Sequence, residues 1–179
     1  MNKVKITRIG LDIDGVIANF CKAAAAAMNK PYPSEPFAIP DGWLDDKDKT
    51  LWRCCRGHDF WANIELFPWA KKIVKIVDSN CGDWRFITKP SFDPGSYSGK
   101  YEFVKNNFKN GVSRLWCVNG SKAYACTGPH HLLIDDNKKN CEEWEAAGGT
   151  VYRWTEISAN WPEEKVEKRL EELRKLFEN

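Results

Sequence analysis

The stretch Ile6-Thr7-Arg8-Ile9-Gly10-Leu11-Asp12-Ile13-Asp14-Gly15-Val16 joins a short apolar segment to two acidic residues and a glycine. Four later segments also combine an apolar run with a polar or turn-forming end, and helix-like stretches separate them. Strands that alternate with helices are typical of βαβ units, in which a mainly parallel sheet has helices on both faces. We therefore predict an α/β fold with strands at residues 6–11, 84–87, 114–118, 131–134 and 151–154.

The helix-like stretches have recognisable boundaries. The stretch 138–147 ends at Gly148-Gly149, as a helix C-terminus commonly does, and apolar residues recur at helical spacing in the final stretch. Five consecutive alanines favour a helix over residues 21–28, and Pro68 is suited to the first turn of another helix. The predicted helices that follow the second strand cover residues 99–108, 121–126, 138–147 and 161–177.

Composition limits the class of protein. The chain has 179 residues, enough for one domain or one domain with a modest insertion. Its 27 Lys and Arg nearly balance 25 Asp and Glu, and the net charge of +2 is too small for broad non-specific binding of nucleic acid. The seven cysteines show no CxxC pair or zinc-finger spacing, which favours buried thiols in a reducing cytoplasm. We also predict no secretory signal and no membrane span.

Two pairs of acidic residues stand directly after predicted strands. Asp12 and Asp14 follow the first strand, and Asp135 and Asp136 follow the fourth. Each pair has a purely structural explanation, since Asp-Gly turns are common and Asp136 or Asn137 could cap the next helix. The carboxyl ends of parallel strands, however, meet at one edge of a sheet, where open α/β folds bind ligands. Together the pairs predict an oxygen-rich site for a hard cation such as Mg²⁺.

Two further polar residues also follow strands. Thr88 ends the second strand, where its hydroxyl and nearby backbone N–H groups could bind phosphate oxygens. Lys122 follows the third strand and could supply a compact positive charge. Taken alone, a threonine or a lysine is usually an ordinary surface residue. Because these two stand at strand ends, as the acidic pairs do, they complete a predicted phosphate site. His130 and His131 are interpreted as ordinary loop and sheet residues.

The order of these residues resembles the four motifs of the haloacid dehalogenase-like superfamily, and the match spans nearly the whole chain. Within that superfamily the sequence is most similar to the 5′(3′)-deoxyribonucleotidases and their bacterial and viral relatives. The closer likeness rests on DIDGVIANF at 12–20, Phe60-Trp61 before Leu66-Phe67-Pro68, Gly99-Lys100-Tyr101, and LLIDDN at 132–137 before Trp144 and Ala147-Gly148-Gly149.

The resemblance implies a Rossmann-like sheet of order 5-4-1-2-3 and a division of the chain into two parts. Residues 1–18 and 68–179 would form the phosphatase core, and residues 19–67 a small helical cap inserted after the first strand. The insertion also follows from the spacing of the strands, because this interval far exceeds an ordinary crossover.

The resemblance also implies catalytic roles. Asp12 would be the nucleophile, Asp14 the general acid and base, and Thr88 and Lys122 the phosphate contacts. Metal ligands would come from Asp12, the main-chain carbonyl of Asp14, Asp135 and Asp136. We prefer Lys122 to Lys100 as the motif lysine because Lys122 follows a strand.

Three residues bear on the substrate. Lys89 stands where the nucleotidases usually have a small residue, so it either adds a phosphate contact or narrows the substrate range. Phe60 and Trp61 belong to an insertion rich in tryptophan, of which the chain has nine. They would either form the core of the cap or stack on a nucleobase, and we choose them as base contacts.

The sequence thus predicts a cytoplasmic Mg²⁺-dependent phosphatase for a small phosphomonoester, with a deoxyribonucleoside monophosphate as the leading substrate. Phosphatases for another small metabolite or for a nucleic-acid 3′ end remain alternatives, as does a non-enzymatic binding protein on the same fold. A stable nucleic-acid partner is not expected. The presence of Asp14 argues against both a binding protein, which needs no proton donor there, and a dehalogenase, since the superfamily members that attack carbon lack an acid at that position.

Overall fold

Five parallel strands form one sheet in the computed structural model, which describes residues 4–35, 39–40, 42–43, 50–155, 157 and 160–178. The predicted strands are confirmed to within a few residues at each end. The strands are β1 (Arg8–Leu11), β2 (Trp84–Thr88), β3 (Leu115–Cys117), β4 (His131–Asp135) and β5 (Thr150–Arg153). Their spatial order is β3-β2-β1-β4-β5, which is the order implied by the resemblance read from the opposite edge.

The register of the central strands brings the predicted site residues to one edge. Leu11 of β1 pairs with Phe86 of β2 and with Ile134 of β4. All three side chains are fully buried, as expected for strands covered by helices on both faces. Because these strands run in the same direction, the residues that follow them emerge side by side at the carboxyl edge of the sheet.

Seven α-helices are assigned among the described residues. The helix α5 begins earlier than predicted, because Pro94 occupies its first turn, where a proline is compatible with helix. Residues 121–126, predicted as a short helix, contain the 3-10 helix Lys122–Ala125. The helices are α1 (Phe20–Ala27), α2 (Thr50–Cys54), α3 (His58–Ala62), α4 (Ala70–Asn80), α5 (Pro94–Asn107), α6 (Lys138–Ala146) and α7 (Glu163–Lys175).

The segment between β1 and α4 leaves and rejoins the core at neighbouring points. The N–H of Asn19 donates to the carbonyl of Glu65 at 2.8 Å, and the N–H of Phe67 donates to the carbonyl of Ile17 at 2.9 Å. Helices α1, α2 and α3 lie between these two links. Residues 36–38, 41 and 44–49 of the predicted cap lie outside the described residues, and the cap boundaries 19 and 67 remain a prediction.

Glycines allow α3 to pack closely on α5. A Cβ at Gly95 would lie 2.5 Å from the carbonyl carbon of Gly57, and one at Gly99 would lie 2.5 Å from the carbonyl oxygen of His58. These two glycines are four residues apart and therefore share one face of α5. The backbone of α3 consequently lies directly against α5, at a separation that a larger residue at either position would prevent.

Two further findings concern the whole described chain. Within it, we find no helix both long and apolar enough to cross a bilayer. All seven cysteines are thiols, and Cys21, Cys55, Cys81 and Cys141 are buried.

Candidate active site

A buried ion-pair network joins the ends of β1 and β4. The Nζ atom of Lys122 lies 2.6 Å from Oδ1 of Asp12 and 2.7 Å from Oδ2 of Asp135. All three side chains are at most 8% exposed. The N–H of Ile13 also donates to Oδ1 of Asp12 at 2.7 Å, which fixes the orientation of that carboxylate. Residues distant in sequence thus form one charged cluster at the carboxyl edge of the sheet.

Burial dominates the protonation behaviour of this network. It raises the pKa of Asp12 to about 7; the attraction of Lys122 opposes the shift, and the repulsion of Asp135 and Asp14 adds to it. Burial alone would lower the pKa of Lys122, but the attraction of Asp12 and Asp135 outweighs it and leaves that pKa raised. Lys122 is therefore a permanent cation, whereas Asp12 titrates near neutral pH.

Asp12, Asp135 and Asp136 form the group in the described residues that is suited to hold a metal ion. One carboxylate oxygen from each lies within 4.8 Å of the others. Loss of hydration and the repulsion of Asp135 and Asp12 raise the pKa of Asp136 well above its ordinary value. With Asp14, and with all four carboxylates ionised, the site sets four negative charges against two ammonium groups, and one divalent cation balances the excess of two. The donor set fits Mg²⁺, which prefers oxygen ligands.

Gly15 permits the approach of Asp136. Its φ of +78° lies in the left-handed region that favours glycine, and a Cβ there would lie 2.2 Å from Oδ2 of Asp136. The Asp-Gly turn after β1 is therefore a packing surface for the carboxylate of the neighbouring strand. Of the two residues that could cap α6, Asn137 is the N-cap: its side chain accepts from the N–H of Asn140 at 3.2 Å. Capping therefore does not explain the position of Asp136.

Asp14 pairs with a second buried lysine. Its Oδ2 accepts from Nζ of Lys100 on α5, whose side chain is 2% exposed. Among the described residues, the other oxygen, Oδ1, is buried without a hydrogen-bond partner. The Lys100 ammonium also lies 4.8 Å from the ring centroid of Trp61, within the range of a cation–π contact. Lys122 and Lys100 thus engage different carboxylates.

Thr88 carries a buried hydroxyl that has no hydrogen-bond partner in the described part of the chain. Its side chain is fully buried, and its carbonyl accepts from the N–H of Val118 at 2.9 Å. A buried hydroxyl without a partner costs about 1–3 kcal/mol relative to a satisfied one. Binding of an acceptor oxygen at this position would remove that cost, which agrees with the predicted phosphate contact.

The predicted substrate contacts have different environments. Trp61 is 2% exposed and stacks on Phe20 at 5.5 Å, while Phe60 is half-buried and meets Phe20 edge-on at 6.2 Å. These contacts fit the alternative in which the aromatic residues form a small core, and they leave Phe60 more accessible to a ligand. Lys89 is exposed. Its role, like that of the two aromatic residues, stays a prediction.

Two contacts were not anticipated from the sequence. The Nδ2 of Asn140 donates to both oxygens of Asp135, at 3.2 and 3.1 Å. Asn140 lies on the first turn of α6, three residues after the cap Asn137, and this position near the end of β4 could have indicated a contact with Asp135. The sequence offers Lys100 only as a rival to Lys122 for the motif lysine, because its contact with Asp14 depends on how α5 packs, which no local motif specifies.

A parallel sheet with acids at the carboxyl edge of its central strands fits the haloacid dehalogenase-like hydrolases. The family model described as "5' nucleotidase, deoxy (Pyrimidine), cytosolic type C protein" matches residues 5–161. The chain belongs to this nucleotidase family, and the predicted phosphatase class is confirmed.

Two solved structures align with nearly the whole chain. The HAD domain of the effector protein Lem4 from Legionella pneumophila is 13% identical, with 97% of each chain covered and a TM-score of 0.45. An inactive mutant of the same domain is 12% identical, with 97% of this chain and 95% of that chain covered and a TM-score of 0.46. A comparison with curated proteins found no match.

Proposed function

We propose that the protein is a Mg²⁺-dependent 5′(3′)-deoxyribonucleotidase that hydrolyses deoxyribonucleoside monophosphates through an aspartyl-phosphate on Asp12. The observation that carries the proposal is the buried network in which Lys122 joins Asp12 to Asp135, beside Asp136. This network holds the Asp12 carboxylate in a fixed orientation beside the Lys122 ammonium. Nucleophilic attack on a phosphate requires such a positive charge, because the nucleophile and the phosphate are both anions.

In the first step, an oxygen of Asp12 forms a bond to phosphorus as the bond between phosphorus and the sugar oxygen breaks. The electron pair of that bond stays on the sugar oxygen, which takes a proton from the neutral form of Asp14. In the second step, Asp14 takes a proton from water, whose oxygen bonds to phosphorus as the bond to Asp12 breaks. Inorganic phosphate leaves, and both aspartates return to their starting states.

The charges around the phosphate have distinct sources in this mechanism. Lys122 and the hydroxyl of Thr88 contact phosphate oxygens and stabilise charge in the transition state. The carboxylates of Asp12, Asp135 and Asp136 and the main-chain carbonyl of Asp14 would hold Mg²⁺. When bound, the ion supplies charge that offsets the repulsion between the anionic nucleophile and the phosphate.

The proposed substrate class is supported by the family and by the aromatic cluster. The family description names a deoxy (pyrimidine) 5′ nucleotidase of cytosolic type. Phe60 is half-buried beside Trp61, and an accessible aromatic face can stack on a base. We place the enzyme in the cytoplasm on the same family description.

The test measures release of inorganic phosphate from deoxyribonucleoside and ribonucleoside monophosphates, with Mg²⁺ and with EDTA. The wild type should release phosphate only with Mg²⁺, and faster from the deoxy substrates. The Asp12→Asn variant should be inactive. The matched control is Asp83→Asn, which removes the same charge at the amino edge of β2, where Asp83 pairs with Arg8 at 2.8 Å.

Equal release by the wild type and Asp12→Asn would defeat the proposed nucleophile. Release that persists fully in EDTA would defeat the metal dependence. A 3′-phosphorylated oligonucleotide or a sugar phosphate hydrolysed faster than every mononucleotide would replace the proposed substrate while keeping the chemistry.

A further inference from the structure

Lys100 is buried where an apolar residue would ordinarily pack. Its side chain is 2% exposed, and its ammonium lies between Oδ2 of Asp14 and the ring of Trp61. A buried charge is expensive unless it is paired, and replacing a buried ion pair with apolar residues often stabilises a protein. Stability alone therefore gives little reason for a lysine at this position.

The lysine makes the two oxygens of Asp14 inequivalent. Oδ2 accepts from Lys100, whereas Oδ1 is buried and has no hydrogen-bond partner within the described residues. A lysine ammonium has three donors and no acceptor. When Asp14 is neutral, its proton must therefore reside on Oδ1, because a proton on Oδ2 would meet another donor.

We propose that Lys100 is a positioning residue that fixes Asp14 so that Oδ1 carries the transferable proton. This inference rests on the proposed function, in which Asp14 protonates the leaving sugar oxygen. Trp61 confines the ammonium from the side of α3, whose close approach to α5 depends on Gly95 and Gly99. The inserted segment thereby contributes to the orientation of the acid.

The test uses the different need of two leaving groups for a proton. A sugar alkoxide is a poor leaving group and requires protonation, whereas p-nitrophenolate leaves as a stable anion. Lys100→Met keeps the length of the side chain and removes its charge. Because Asp14 also acts as the base of the second step, the test measures the rate of the first step alone, as release of nucleoside or p-nitrophenol in a single turnover. Lys100→Met should lower that rate by about 10²-fold for a deoxyribonucleoside monophosphate, the lower end of a general-acid contribution, and by less than about threefold for p-nitrophenyl phosphate.

The matched control is Lys105→Met on the same helix. Lys105 is 56% exposed and pairs with Glu102 at 3.2 Å, so its loss should leave both substrates unaffected. A double-mutant cycle then connects Lys100 to Asp14. In an Asp14→Asn background, Lys100→Met should cause no further loss on the nucleotide, because the group that it positions is already absent.

Equal losses on both substrates, or a further loss in the Asp14→Asn background, would overturn the proposal in favour of a direct phosphate contact. Unchanged nucleotide turnover by Lys100→Met would also overturn it. Thermal unfolding checks that the variant is folded, and Lys100→Leu, which also lacks a donor, replaces it if it is not. A wild type that hydrolyses p-nitrophenyl phosphate but no nucleotide would contradict the proposed function alone, and 2-deoxyribose 5-phosphate would then serve as the alkyl substrate for Lys100.

Discussion

Binding of Mg²⁺ at this site should release protons near neutral pH. Burial raises the pKa of Asp12 to about 7, despite the attraction of Lys122, and loss of hydration raises that of Asp136 above its ordinary value. A carboxylate coordinates a metal in its ionised form, so the ion must compete with protons. Below pH 7 most Asp12 side chains carry a proton and cannot coordinate the ion. The affinity for Mg²⁺ must therefore fall as the pH falls.

The size of the effect follows from the pKa of Asp12. At pH 8 most Asp12 side chains are ionised, whereas at pH 6 only about a tenth are, so the affinity changes by about tenfold through this residue alone. That factor corresponds to about 1.4 kcal/mol of binding free energy. A proton on Asp136, whose pKa is also raised, makes the dependence steeper.

Isothermal titration of Mg²⁺ at pH 6, 7 and 8, in two buffers with different ionisation enthalpies, measures both the affinity and the number of protons released. The Asp12→Asn variant cannot release the Asp12 proton, so its affinity should depend less on pH than that of the wild type. Equal wild-type affinities at pH 6 and pH 8, with the same heat in both buffers, would refute the reasoning.

Three further substitutions test the packing. Gly15→Ala should lower the free energy of unfolding in urea by at least about 1 kcal/mol more than Gly148→Ala. Both glycines have positive φ, but a Cβ at Gly15 would clash with Asp136 whereas one at Gly148 has no atom within 4 Å, and equal losses would contradict this. Burial lowers the pKa of His131 from 6.5 to about 4, so its neutral form stabilises the fold above pH 6.5. Wild-type stability relative to His131→Gln should fall by up to about 3 kcal/mol between pH 6.5 and 4, and a constant difference would contradict the shift. Gly99→Ala should cost about 1–3 kcal/mol in thermal unfolding by separating α3 from α5, and an unchanged melting temperature would argue against that close contact.

The sheet could be predicted because each strand is a short apolar run with a distinct end. All five residues of β4 are buried, so the run LLID at 132–135 indicates a strand although apolar and polar residues do not alternate in it. The strand order was not available from those runs. It came from the resemblance, since apolar segments show that strands exist but not which strands are neighbours.

The carboxyl edge of the sheet was predictable for a related reason. Asp12 and Lys122 follow strands and Asp135 ends one, and parallel strands bring residues at these positions to the same edge of the sheet. The contact between Lys100 and Asp14 depends instead on the rotation and depth of α5, and the burial of Trp61 depends on Phe20, which lies far from it in sequence. These are tertiary properties that local patterns do not encode.

The two hydrogen bonds that join Asn19 to Glu65 and Ile17 to Phe67 give the inserted segment a closed base. A loop whose ends are already held together can change in length or content at little cost to the domain that carries it. Helix α3 does not share this freedom, because it is fastened to α5 at Gly95 and Gly99. A change of length or content within residues 20–56 should therefore leave the chemistry intact, whereas α3, which carries Phe60 and Trp61, has to be retained.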